Sequence, residues 1–512
     1  MITQAFLRWA NQPNRIRRTG IKISLPRLSD GALLTLKVAD SGGEIDGMGN
    51  WHPCVQESPT LSQSLQEMLS GQSRVSYGTL KLALDDLARL GPDGTLRWDN
   101  VLTDYAWAGA AIQQVVGGDD LPFADWATCL TGFLGRPTDG DAWLTAPIYS
   151  ARRALSSITV PPNVYDSSVP SSSQGKVIPI ALGPAKGITP VLISDGGGSG
   201  PWVYQYSDPA FAPTLAVDAV YIDSILQTAG FTPNLTNNTV SFSSKPSTAP
   251  TLDVRGAVYN GVYLVKLGDI IKAFLQFFGG LSDARLDLGS FALLGSVYPH
   301  AQDAYLTSAI ALDAFLDDMC SGQPVIWRDN REGVFRVQFL APPSLMTPLL
   351  KIYDGSEDDP PFGCAWGWGF QRQPAPCWYS KITLKGNRNY TTQTPTSTSL
   401  SADRLSWLQE EYRSRSVTGS ADTDNPEVQE AEWTTHLSNT ADLATVAQLN
   451  LDLFGVERWY WSFDSLASAL ALDVGLPAQL FRSRRGMQAG WPGLVWSVDM
   501  STPARGKVQL WG

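Results

Sequence analysis

Three histidines, His52, His300 and His436, are the only imidazoles in the chain, and they lie far apart in sequence. A serine or cysteine triad needs an imidazole beside its nucleophile, so few bases are on offer. The G-x-S-x-G elbow is absent. Trp51-His52-Pro53-Cys54 supplies half of a metal site, but no second pair follows at matching spacing. It reads as a packed loop. The five cysteines, Cys54, Cys129, Cys320, Cys364 and Cys377, are odd in number and widely spaced. That pattern suits reduced, packed thiols in a protein made in the cytoplasm, and not a disulfide framework.

Carboxylate chemistry is harder to read, because a glycosidase pair is two acids distant in sequence. The acidic run Glu357-Asp358-Asp359 has no calcium-loop spacing and reads as a solvated loop. Eighteen tryptophans would suit sugar stacking, and equally protein interfaces or barrel cores. Asp195-Gly196-Gly197-Gly198-Ser199-Gly200 would cradle phosphate only if a helix began after it. Pro201-Trp202-Val203-Tyr204 follows instead, which reads as a strand and makes the glycines a hairpin tip. Two basic clusters stand out in this acidic chain: Arg15, Arg17 and Arg18, and Arg482, Arg484 and Arg485. They are the candidate subunit-interface residues, since arginine suits acidic partners across an interface. Otherwise they are solvated turns. No catalytic, cofactor-binding or metal-binding residue is assigned, and no cofactor is expected.

The elements that must position these residues follow from composition and periodicity. A chain of 512 residues exceeds one ordinary core, so several domains are expected. Only 17% of residues are charged, against roughly 25% in a typical soluble chain. With 46 glycines, 34 prolines and 43% hydrophobic residues, the chain is neither a helical bundle nor disordered. A net charge of −11 disfavours sequence-independent binding to duplex DNA. No apolar run approaches the ~18 residues a membrane span requires. The N-terminal apolar patch precedes its arginines, which is the wrong order for a signal peptide.

The expected fold is mainly β with some α: small β-barrel or sandwich modules plus a few amphipathic helices. Residues 1–155 form a β-rich module, with strands at Ile21–Leu25 and Leu33–Val38 and one long run at Val75–Leu84. Gly91-Pro92-Asp93-Gly94 signals a turn, and Phe123–Leu134 reads as a short helix with Trp126, Leu130 and Phe133 on one face. Residues 156–175, rich in Pro and Ser, read as an arm or linker that orders only within an assembly. Residues 176–255 read as a small β domain. An α+β domain is expected over 256–402, with helices at Leu267–Phe278 and Leu312–Met319, a hairpin around Asp329–Gly333, and a Thr/Ser-rich loop over 389–402. On the second helix, Asp313, Asp317 and Asp318 fall on the polar side. Residues 403–512 are expected to make a barrel-like domain: a helix near Ala441–Phe454, then strands through Trp459, Leu480, Val495 and Val508.

Three stretches together resemble the tail-tip or baseplate hub proteins of tailed bacteriophages. The first is Ser73–Leu82, then Pro92-Asp93-Gly94 and Asp104-Tyr105-Ala106-Trp107-Ala108-Gly109. The second is Gly175–Gly183 leading to Ile188–Leu192, and the third runs from Leu476 to Gly512 with its turn at Arg485-Gly486-Met487. The resemblance implies a non-enzymatic virion protein forming a ring, commonly a trimer, at the tail tip. Its implied partners are further copies of itself, a distal tail or tube protein, a central fibre or spike protein and a tape-measure protein. Genomic DNA would meet it only in passage through the lumen. Some members of the family carry an inserted peptidoglycan hydrolase, and no such insertion is visible here. The alternatives are a carbohydrate-binding or glycan-degrading tail component, or a distal tail ring protein.

Overall fold

The computed structural model describes residues 2–12, 14–44, 50–65, 73–85, 90, 94–198, 200–354, 364–394, 400–421, 423–502 and 505–512. The expected turn residues Gly91-Pro92-Asp93, the acidic run Glu357-Asp358-Asp359, Ser199, and residues 395–399 of the Thr/Ser-rich loop lie outside them. The chain is mainly β, 43% strand and 19% helix, with a closed six-stranded barrel and a half-barrel among several sheets. The expected fold class holds.

The N-terminal sheet runs in the order Leu33–Ala39, Arg18–Pro26, Ala111–Gly117, Ala127–Leu134, Trp143–Tyr149, Thr79–Ala83, Val55–Glu57. Alternation sends Ile21, Ile23, Leu25, Leu36 and Val38 into the core. Phe6 and Trp9 of the short helix Gln4–Ala10 join the same cluster. The stretch expected to be helical is a strand, Ala127–Leu134, after a single 3-10 turn at Phe123–Asp125. A bulge between Thr128 and Leu130 shifts its pleat, so the apolar spacing imitates a helical face. Tertiary pairing with Ala111–Gly117 decides the outcome.

The long run at Val75–Leu84 is two strands in two sheets. Ser73–Tyr77 pairs with Leu61–Leu65, and that hairpin adds to the barrel through Trp491–Thr502. Thr79–Ala83 stays in the N-terminal sheet. Gly78 is the crossing point: a Cβ there would lie 2.5 Å from the Thr60 hydroxyl, so only glycine lets the two backbones pass.

The barrel ring is Pro477–Phe481, Leu350–Asp354, Cys364–Pro374, Trp459–Leu466, Arg505–Trp511 and Trp491–Thr502. It closes because Pro477–Phe481 pairs parallel with Leu350–Asp354 and antiparallel with Trp491–Thr502. Its strands therefore come from both sides of residue 403, unlike the expected 403–512 unit. The intervening Tyr379–Gly386, Arg413–Thr418 and Gln429–Thr434 form a separate sheet under helix Thr440–Phe454. That helix packs into the central core with helices Leu267–Phe277 and Leu312–Cys320. Parallel partners far apart in sequence leave no local signal, which is why consecutive strands read as one barrel.

Residues 184–263 form two small sheets around a core of their own, including Ile188, Tyr206, Val240 and Leu252. Strands Val191–Ser194 and Trp202–Gln205 pair antiparallel, so the described glycines Gly196–Gly198 lie in a hairpin tip, as expected. The Pro/Ser-rich segment is not a free arm in the single chain. Thr159–Val160 pairs with Ile310–Ala311, Tyr165 is buried, and Asn163 donates to Asp208 at 2.7 Å.

Hairpin Val325–Asp329/Phe335–Phe339 carries its tip between the N-terminal sheet and the barrel, with charges buried there. Arg328, 1% exposed, donates to Asp473 at 2.9 Å. Arg331 donates to the carbonyls of Leu470 and, at 2.7 Å, Leu472. Arg336 stands 4.0 Å from Asp473, and the buried carboxylate of Asp329 accepts from the Arg152 amide at 3.3 Å. Asp317, expected on a polar face, is also buried: it accepts from Arg152 at 2.6 Å and from the Trp327 indole at 2.8 Å. Burial pushes its carboxyl up to about 6 despite Arg152.

Burial alone would raise the Asp473 carboxyl, but Arg328 and Arg331 outweigh it and hold it below its ordinary value. Its stabilising share is therefore complete above about pH 4 and fades as pH falls through the folded value. Asp473→Asn should strand the Arg328 charge and cost about 3–5 kcal/mol at neutral pH. Denaturant unfolding should show that loss at pH 7 and a smaller one under acid. An equal loss at both pH values would remove the ion pair as its cause.

Candidate docking surfaces

Arg482, Arg484 and Arg485 occupy the turn between barrel strands Pro477–Phe481 and Trp491–Thr502. They do not form one equivalent cluster. The Arg482 side chain is 14% exposed and lies over the rings of Phe370 (4.5 Å) and Trp461 (5.1 Å), with Asp354 at 3.8 Å. Burial lowers its pKa, with Asp354 acting against that and Arg485 and Arg484 adding to it. Arg482 thus belongs to the barrel wall. Arg484 and Arg485 are exposed, Arg485 with its guanidinium 5.5 Å from the Trp461 ring, and no carboxylate among the described residues lies within ion-pair distance of either. Arg485 has φ 61° and Gly486 φ 72°, a tight left-handed reversal that pushes the turn outward.

The N-terminal arginines are held by their own chain. Arg15 pairs with Asp120, and Arg18 with Asp119 at 2.9 Å. Arg17 donates to the carbonyls of Ala10 and Gln12, each at 3.0 Å, and leans on Trp9. Together they fix helix Gln4–Ala10 to the loop after Ala111–Gly117. The two clusters remain separate features.

The histidines also stay apart. The backbone of His52 bonds to Lys37 and Ala39, and burial lowers its imidazole pKa. The neighbouring Cys54 thiol is buried and pushed up to about 12, so it is a poor metal ligand at neutral pH. No group of three metal-capable side chains occurs among the described residues. His300 meets Asp442 at 3.0 Å.

His436 sits in a richer setting, which spacing could not reveal because its partners lie more than a hundred residues away. Its Nδ1 is 2.9 Å from the carbonyl oxygen of Asp303, and its Nε2 2.8 Å from the Asp318 carboxylate. The Asp303 carboxylate accepts from the Tyr390 hydroxyl at 2.7 Å, and burial pushes it up to about 6. Asp318, Arg388, Tyr390 and His436 line a cavity of about 500 Å³ with Tyr305 and several threonine and serine hydroxyls. A general base needs a free lone pair facing its substrate. Both His436 nitrogens face acceptors, so this imidazole is built to donate.

No protein-family model matches the chain, and no curated protein matches it. Among solved structures it is similar to a tail protein from Neisseria meningitidis MC58, at 8% identity and TM-score 0.39, over 96% of this chain and 97% of that one. The 43 kDa tail protein of prophage MuSo2 from Shewanella oneidensis matches at 9% identity and TM-score 0.37, over 96% of both chains. A chain of the native gene transfer agent virion matches at 10% identity and TM-score 0.43, over 68% of this chain and 87% of that one. All three TM-scores fall below 0.5, and they fix neither family nor function.

Single substitutions should separate Arg482 from Arg484. Arg482→Ala should destabilise the barrel by about 0.5–2 kcal/mol, through lost stacking on Phe370 and Trp461. Arg484→Ala should stay within about ±0.5 kcal/mol of the parent. Chemical unfolding followed by tryptophan fluorescence would check both. Equal effects would erase the distinction between wall and tip.

Proposed function

We propose that the chain is a non-enzymatic structural subunit of a bacteriophage tail tip or baseplate hub, assembled with copies of itself into a ring. One observation carries this reading: the three hub-like stretches fall where the β modules join or close. Ser73–Leu82 is where the chain crosses between the N-terminal sheet and the barrel. Gly175–Gly183 leads into the 184–263 sandwich, and Leu476–Gly512 closes the barrel. Each resemblance therefore coincides with a crossing, an entry or a closure of the β modules, where a shared architecture would be most constrained.

The surface fits the role. Arg484 and Arg485 form an exposed basic tip on a chain with net charge −11, so a further copy has acidic surface to offer it. Tube, distal tail, fibre or spike and tape-measure proteins are the neighbours such a position would supply. An acidic balance would also let DNA pass a lumen without sticking.

Arg484→Glu/Arg485→Glu should leave the monomer folded and reduce ring or particle assembly, as followed by native mass and particle imaging. Salt should weaken assembly of the unmodified chain, since it screens exposed pairs. Normal assembly of the variant at every salt concentration would make the tip merely solvated. Hydrolysis of host surface polysaccharide by the purified chain, abolished by one carboxylate change, would replace the structural reading with a glycan-degrading one.

A further inference from the structure

We infer that His436 is a proton-operated joint: its imidazolium ties helix Leu312–Cys320 to the segments that seat the 184–263 sandwich, and loses that grip as pH rises. The inference rests on hydrogen-bond valence. The carbonyl oxygen of Asp303 and the ionised carboxylate of Asp318 are both pure acceptors, 2.9 Å and 2.8 Å from the two ring nitrogens. A neutral imidazole carries one N–H and can serve only one of them. The pair must therefore hold one further proton for both contacts to exist.

The surroundings place that proton on the ring. Burial alone would lower the His436 pKa, but the hydrogen bond and charge of Asp318, with Asp303, raise it above 6.5. Burial would raise Asp318, yet the same bond and charge, with Arg388, hold it below its ordinary value. Arg388 reaches in from the loop after Tyr379–Gly386, and its own charge is met by Glu411 at 2.8 Å. Lys186 of the sandwich acts on Asp303, as does Arg388. With the proton, the imidazolium of His436 answers Asp318 and Arg388 answers Glu411. Without it the balance is lost. The adjoining cavity gives the ring a route to solvent protons.

The mechanical consequence follows from what hangs on these groups. Tyr390, bonded to Asp303, and Tyr305, two residues beyond it, both pack against the sandwich core. Their rings meet edge to face at 5.8 Å. His436 and Asp303 each have a folded pKa above the unfolded one, Asp303 at about 6. Each therefore contributes most below its unfolded value, and that contribution fades as pH rises through the folded value. Both act in one direction.

The test uses the full chain with ¹³C-labelled histidine, whose three imidazole signals are assigned with His436→Gln. His436 should titrate above 6.5 and above His52. Asp318→Asn supplies an amide N–H to Nε2, so a neutral ring can then make both bonds, and the His436 midpoint should fall. Hydrogen exchange at residues 386–391 and 435–438, corrected for the intrinsic pH dependence, should rise across the wild-type midpoint. It should stay flat over that range in Asp318→Asn. A His436 midpoint at or below 6.5, or the same pH-dependent rise in both proteins, would overturn the joint.

Discussion

The N-terminal sheet and the barrel meet around charges that cannot reach water. Arg328, Arg331 and Asp473 lie where the hairpin Val325–Phe339 enters the space between the N-terminal sheet and the barrel. An isolated buried charge costs several kcal/mol, so each must find its partner or the tip cannot stay inside. The partners come from elsewhere in the chain: Asp473 and the carbonyls of Leu470 and Leu472 follow the barrel strand Trp459–Leu466. The same tip lies close enough to Tyr77 and Cys129 of the N-terminal region to act on their ionisation. Native placement of the hairpin therefore requires the barrel and the N-terminal sheet to be in place together. Such a cluster adds little net stability, but it penalises every misdocked arrangement.

Local pattern and long-range pairing divide what the sequence could reveal about this fold. Helix Leu267–Phe277 is legible because Ile270, Ile271 and Phe274 repeat at helical spacing and are buried. The strands at Arg18–Pro26 and Leu33–Ala39 are legible because their alternation matches a one-sided sheet. Ala127–Leu134 misleads because a bulge shifts its pleat. Helix Leu288–Val297 goes unread for another reason: its sequence LGSFALLGSV is apolar nearly all round and has no polar face to set a period. The barrel's membership is invisible, since the parallel pairings of Leu350–Asp354 join segments that no turn connects.

The candidate docking residues were half legible. Spacing marks Arg482, Arg484 and Arg485 as a group, yet only the fold shows that Arg482 faces inward over Trp461. Arg15, Arg17 and Arg18 read as interface residues because their acceptors, Asp119, Asp120 and the backbone of Ala10 and Gln12, carry no motif. The His436 group is the reverse case. Scarcity of histidine argues against clustered imidazoles, but one imidazole between two acceptors needs no cluster. Its partners Asp303 and Asp318 are ordinary acids until the chain folds.

Where the cores lie decides which modules can part. The N-terminal sheet and the barrel share one continuous apolar cluster, stapled by the hairpin Leu61–Leu65/Ser73–Tyr77 on Trp491–Thr502. Separating them would expose that shared core and the buried arginines at once, so the pair should move as a single block. The 184–263 sandwich owns a small core but also joins the central one: Phe211 packs on Phe274 and Phe278 at 5.3 Å and 5.1 Å, beside strands Ile180–Leu182 and Ala304–Leu306 and the rings of Tyr305 and Tyr390. The sandwich is therefore not a free flank: Phe211 must part from the central helix Leu267–Phe277 before it can leave its seat, whatever its own small core retains.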